Sequence, residues 1–124
     1  EKIRYPFVRF LLHNASAYVG LVDSSWQPAG WTVACESLAS GLPIVLYEGL
    51  VSRELHAMGA SGEWLRSVGM GDVSAMARHV DDFIKRGDRR QIGRDTMTFA
   101  LKNLDCELTA PLFVSEIEKV FQLG

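Results

Sequence analysis

Apolar residues along this chain follow two rhythms. Over residues 17–22 (AYVGLV) and 43–47 (PIVLY) they are continuous, as in strands buried on both faces. Elsewhere they recur every three or four residues, the spacing of a helix with one buried face. That spacing predicts a helix over 6–13 (PFVRFLLH) with Pro6 in its first turn, and another over 31–40, closed by Gly41 with Pro43 two residues on. A short helix is predicted over 52–58 (SRELHAM), after a loop opened by Gly49, and a third short strand over 63–68 (EWLRSV). Asp72 reads as the N-cap of an amphipathic helix whose apolar stripe is Val73, Met76, Val80, Phe83 and Ile84. Two more helices are predicted, over 88–103 and from Thr109, the last with Phe113, Ile117, Val120 and Phe121 on one face.

Strand, helix, strand, short helix, strand, then helices is the order of an α/β domain, and right-handed crossovers make such a sheet parallel. Segments 17–22 and 43–47 are therefore expected to pair in parallel, joined by the helix over 31–40. Ligands of open parallel sheets bind beyond the carboxyl ends of the strands. Here those ends are the loops 23–30 and 48–52, and function is to be sought there.

Composition narrows the classes. A chain of 124 residues, 48% hydrophobic, suits one domain with a full core. A net charge of −2 lacks the basic excess of a nucleic-acid binder. The basic stretch Lys85, Arg86, Arg89, Arg90 is broken by Gly87 and Asp88, and reads as a solvated junction between helices. No apolar run approaches the roughly 20 residues that span a bilayer, so no transmembrane segment is expected. Nor is a signal peptide expected, since residues 1–5 lead straight into the helical pattern. Cys35 and Cys106 are far apart and form no CxxC, His13, His56 and His79 have no metal-ligand spacing, and neither a metal nor a cofactor is expected. Cys35, among small apolar residues, reads as a buried free thiol, for which a reducing cytoplasm is the natural compartment. The start in mid-pattern, without Met, leads us to expect a piece of a longer enzyme.

The segment richest in chemistry is 26–45, WQPAGWTVACESLASGLPIV. A Pro28-Ala29-Gly30 turn feeds the first turn of a helix, where free N–H groups and the positive end of the helix dipole favour a phosphate. Gly30 has no side chain to block a diphosphate. Thr32, Glu36 and Ser40 recur every four residues as a polar stripe opposite Val33, Ala34, Cys35 and Leu38. A carboxylate one turn inside the phosphate end is placed to accept from a ribose diol. By itself the spacing favours a solvated helix glutamate and an ordinary turn, since helix glutamates are common and a lone Gly-rich turn is a weak signal.

These pieces resemble the C-terminal domain of retaining GT-B glycosyltransferases, which carry an acidic-Pro-x-Gly loop and a Glu-Ala-x-Ala-x-Gly-x-Pro-Val helix end. Here the two read Gln27-Pro28-Ala29-Gly30 and Glu36-Ser37-Leu38-Ala39-Ser40-Gly41-Leu42-Pro43-Ile44-Val45. Asn14-Ala15-Ser16-Ala17-Tyr18-Val19 is similar to the family's entry into the preceding strand, and residues 49–55 to its Gly-rich loop before a short helix. The resemblance implies a Rossmann-like parallel sheet flanked by helices, and a site for the nucleotide-sugar donor formed by Gln27, Pro28, Ala29, Gly30, Trp31, Thr32 and Glu36. It also implies that Glu36 takes the ribose. Gln27 stands where the family has a sugar-binding glutamate, nine residues before Glu36 rather than eight. The family's diphosphate-binding Arg and Lys precede this region, and its acceptor site lies on another, N-terminal domain. This piece alone is therefore expected to be inactive. Two alternatives stay open: a nucleotide-sugar 2-epimerase, although Ser24-Ser25-Trp26 departs from the Ser-Gly-Gly turn of those enzymes, and a non-catalytic nucleotide-sugar-binding domain.

Other residues read as structural. Trp26 and Trp31 flank the loop as covers of the sheet's apolar mouth. Asp81 and Asp82 are adjacent on a helix and point to different faces, so they make no acid–base pair. Arg53 and Glu54 read as a charge pair at a helix start.

Overall fold

The computed structural model of the protein describes residues 11, 14–24 and 29–104. Three parallel strands, β1 (Tyr18–Gly20), β2 (Ile44–Tyr47) and β3 (Leu65–Val68), form a sheet in that order. The register pairs Tyr18 with Ile44 and Val45 with Arg66. Four helices complete the architecture: α1 (Trp31–Ala39), α2 (Leu50–Ala57), α3 (Val73–Lys85) and α4 (Arg89–Asn103). The expected parallel pairing of the first two strands across α1 is observed. Of the helix predicted over 6–13 only Leu11 is described, and it is helical, its carbonyl accepting from Ala15 N at 2.9 Å; the helix predicted from Thr109 lies outside the described residues.

Alternation along the strands makes two cores. Ile44, Leu46 and Leu65 face α1, α2 and α4, meeting Leu38, Leu55, Ile92 and Phe99. Val45 and Val68 face the other way and meet Ala75, Met76 and Phe83 of α3. Both crossover helices, α1 and α2, lie on one face. Crossovers of one hand place successive strands in sequence order in just this way. Trp64 stacks at a tilt on Phe99, 5.0 Å between centroids, and so ties the entry of β3 to α4.

Backbone chemistry sets where α1 stops. Gly41 has φ 88°, a left-handed conformation that favours glycine. Its N–H donates to Leu38 O, and the next N–H, of Leu42, donates to Ser37 O, so two terminal carbonyls find donors before the chain enters β2. The same pair of bonds closes α2, from Gly59 to His56 O and from Ala60 to Leu55 O. Asp72 caps α3 as expected, its carboxylate accepting from Ala75 N at 3.0 Å.

Three expectations need correction. The strand over 17–22 shortens to β1, with Tyr18 and Val19 only half-buried and Leu21 and Val22 exposed. Among the described residues β1 pairs only with β2, so one of its edges lacks a strand to cover it. The helix predicted from Ser52 starts earlier, at Leu50, because Gly49 occupies its N-cap position. In α3 the predicted stripe holds at Met76, Val80 and Phe83, which pack on the core together with Ala75, but its end residues Val73 and Ile84 are exposed. On the β3 side of the helix, Arg66 pairs with Asp82 at 2.7 Å, meets His79 at 3.3 Å and lies over the Phe83 ring. Asp81 faces elsewhere and pairs with Lys85, as its neighbouring position requires. Among the described residues no helix is long and apolar enough to cross a membrane.

Candidate functional site

The carboxyl ends of the strands open onto two loops that touch. The first leaves β1 through Leu21 to Ser24, and the second leaves β2 through Glu48 and Gly49. Ser24 is buried, and its carbonyl accepts from Leu50 N at 2.8 Å. A Cβ on Gly49 would fall 2.3 Å from Ser24 Oγ and 3.0 Å from its backbone carbon, so only glycine allows this approach. The Ser52 hydroxyl accepts from Gly49 N and donates to Gly49 O. Arg53 also donates to Gly49 O, through its backbone N–H and its Nε.

Gly30 precedes α1 with φ 84°, and a Cβ there would meet nothing nearer than Val22 at 3.9 Å. Backbone conformation, rather than crowding, calls for glycine at this turn. No side chain caps α1, and the N–H groups of Trp31, Thr32 and Val33 have no acceptor among the described residues. The surface beneath Gly30 is nearly filled: Tyr18, Val22, Leu46 and Val51 leave a cavity of about 10 Å³. A ligand at this end therefore lies on top of the turn, not between the strands. Burial lifts the Tyr18 phenol above its ordinary pKa, so it stays neutral near pH 7.

Along α1 the structure separates the predicted stripes almost as drawn. Thr32 is exposed, Glu36 and Ser40 are half-buried, and Ala34, Cys35 and Leu38 are in the core. Val33 departs from the predicted apolar face and is 42% exposed. At 3.6 residues per turn it falls beside Ser40, and Ser37 takes the buried place with its hydroxyl donating to Val33 O at 2.7 Å. The Glu36 carboxylate has no hydrogen-bond or ion-pair partner among the described residues. Trp31 is half-buried and packs on the core, which makes it a structural cover of the helix start. Ala29 and Gly30 are half-buried at the turn, whereas Gln27, Pro28 and Trp26 lie outside the described residues.

A second opening escaped the reading of the sequence. Glu48, Gly49, Ser52, Arg53, His56 and Ser67 line a cleft of about 420 Å³ at the carboxyl ends of β2 and β3. The Nε–Gly49 O bond fixes Arg53 here and leaves its terminal nitrogens free of any carboxylate among the described residues. His56 Nδ1 lies 3.4 Å from Ala60 O; a carbonyl only accepts, so that nitrogen carries the proton in this contact. Glu48 and Ser67 were detectable in principle, since each falls at the carboxyl end of a predicted strand. Among the described residues no three His, Cys, Asp or Glu side chains converge as a metal site requires. Compared with protein-family models, with curated proteins and with solved structures, the chain matches none.

Proposed function

We propose that this chain is the donor-binding part of a nucleotide-sugar-dependent glycosyltransferase of GT-B architecture, its three strands belonging to a larger Rossmann-like sheet. The observation that carries the reading is the β1–α1–β2 unit. Its strands are parallel, and its helix opens at their carboxyl edge on a left-handed Gly30 with three N–H groups to offer. In this reading those groups hold the donor's diphosphate, and the partial positive charge of the helix end stabilises it as the leaving group when the sugar's anomeric bond breaks. Glu36 follows five residues into the helix, about 7.5 Å at 1.5 Å per residue. That is comparable to the distance from pyrophosphate to ribose diol in a nucleoside diphosphate. A half-buried carboxylate without a partner among the described residues suits two ribose hydroxyls. Gln27 takes the donor sugar, the acceptor binds on a separate domain, and the enzyme works in the cytoplasm.

The test is an amide-resolved NMR titration of the chain with UDP, GDP and ADP. Shifts should appear at Gly30, Trp31, Thr32 and Val33 for the preferred nucleotide. Glu36→Ala should weaken that binding roughly ten- to a hundredfold, the loss of a hydrogen bond to a charged acceptor. An unchanged affinity in Glu36→Ala would remove the ribose assignment.

A further inference from the structure

At the opposite pole of the sheet, where the chain enters β2 and α4 begins, lies a cleft of about 280 Å³. Phe83 and Ile92 give it an apolar part, and Ser16, Ser40, Arg89 and Arg90 give it a polar one. Among the described residues that line it, all the charge is of one sign. Among the described residues neither arginine forms a hydrogen bond or an ion pair. The carboxylates closest in sequence are already committed: Asp88 holds Arg86 through both oxygens at 2.9 and 2.8 Å, and Asp95 accepts from the Gln91 amide at 2.8 Å. Asp88 consequently does not cap α4 with its side chain. Both arginines are exposed, and two cations in the first turn of a helix oppose its dipole, so an anion beside them is favoured. Arginine's planar fork matches phosphate oxygens in pairs. The volume lies just below the usual range for small-molecule sites, which selects a compact ligand.

We propose that this cleft binds a small phosphate monoester, its phosphate on Arg89 and Arg90 and its organic body beside Phe83 and Ile92. It is a site remote from the strand carboxyl ends, and it stands whether or not the donor reading does. The experiment is an amide-resolved NMR titration of the chain, at physiological salt, with glucose 6-phosphate, inorganic phosphate and glucose. Glucose 6-phosphate should move the amides of Ser16, Ser40, Gly41 and the start of α4, inorganic phosphate should move the same amides more weakly, and glucose should move none. The double variant R89Q/R90Q should lose affinity roughly ten- to a hundredfold with its circular dichroism unchanged. Arg78→Gln, an exposed arginine on α3, should bind like the parent chain. Equal binding by R89Q/R90Q, or shifts confined to Gly30–Val33, overturns the proposal; neither result touches the nucleotide titration of Glu36→Ala.

Discussion

Gly49 concentrates the constraints on the carboxyl edge into one backbone unit. Its φ is an ordinary extended value, so the demand for glycine comes from the neighbouring Ser24 and not from strain. Gly49→Ala puts a methyl group against a buried hydroxyl and a backbone carbonyl, and the backbone has to yield. We expect a loss of about 1–3 kcal/mol in stability, read as a lower urea midpoint. Ser24→Ala in the same chain should recover only part of it, because the carbonyl contact at 3.0 to 3.1 Å persists. A midpoint unmoved by Gly49→Ala would mean that the two loops do not meet as described. Glu36 is the contrasting case. It has no partner to lose among the described residues, so Glu36→Ala should leave folding nearly untouched while weakening the nucleotide.

Among the elements, α3 and α4 begin with the same residue type used in different ways. Asp72 caps α3 with its side chain, whereas Asp88 at the head of α4 turns its carboxylate to Arg86. Asp72→Ala should therefore cost about 1 kcal/mol, measured by denaturant unfolding, with Asp72→Asn retaining most of it. Equal stability of wild type and Asp72→Ala would show that the cap contributes nothing here. Along α3 the predicted stripe is buried at Met76 and Phe83 but exposed at its ends, Val73 and Ile84. Beside it Arg66 pairs with Asp82, meets His79 and lies over the Phe83 ring.

At the scale of the molecule, Arg86 fastens the junction of α3 and α4 to the loop before β3. It donates to the Glu63 carboxylate and backbone carbonyl and to both oxygens of Asp88. Hydrogen bonding by Arg86 first, then its charge, holds the Asp88 carboxyl below its ordinary value. A carboxyl depressed in the folded state stabilises above its unfolded pKa of about 3.9, and that contribution is lost as the pH falls through the folded value. Asp88→Asn should thus lower Tm at neutral pH, and the difference from wild type should shrink in acid below about pH 4. A difference in Tm that stays constant from neutral pH to strong acid would argue that the ion pair plays no part.

Local pattern was enough to determine a good deal of this protein. The runs PIVLY and AYVGLV declare strands, Gly41 and Asp72 mark helix ends through backbone chemistry that acts within a few residues, and the four-residue spacing of Thr32, Glu36 and Ser40 puts them on one side of α1. Such signals are legible because hydrogen bonding and helical geometry couple near neighbours. Tertiary structure decided what depends on partners distant in sequence. It left β1 with a single described neighbour, exposed Val73 and Ile84 at the ends of α3, and filled the space below Gly30. It also brought Glu48, Arg53, His56 and Ser67 around one cleft and left Arg89 and Arg90 without a carboxylate among the described residues at another. No periodicity encodes those meetings, because they arise where separate elements pack and the charge of one side chain is answered, or not, by another far along the chain.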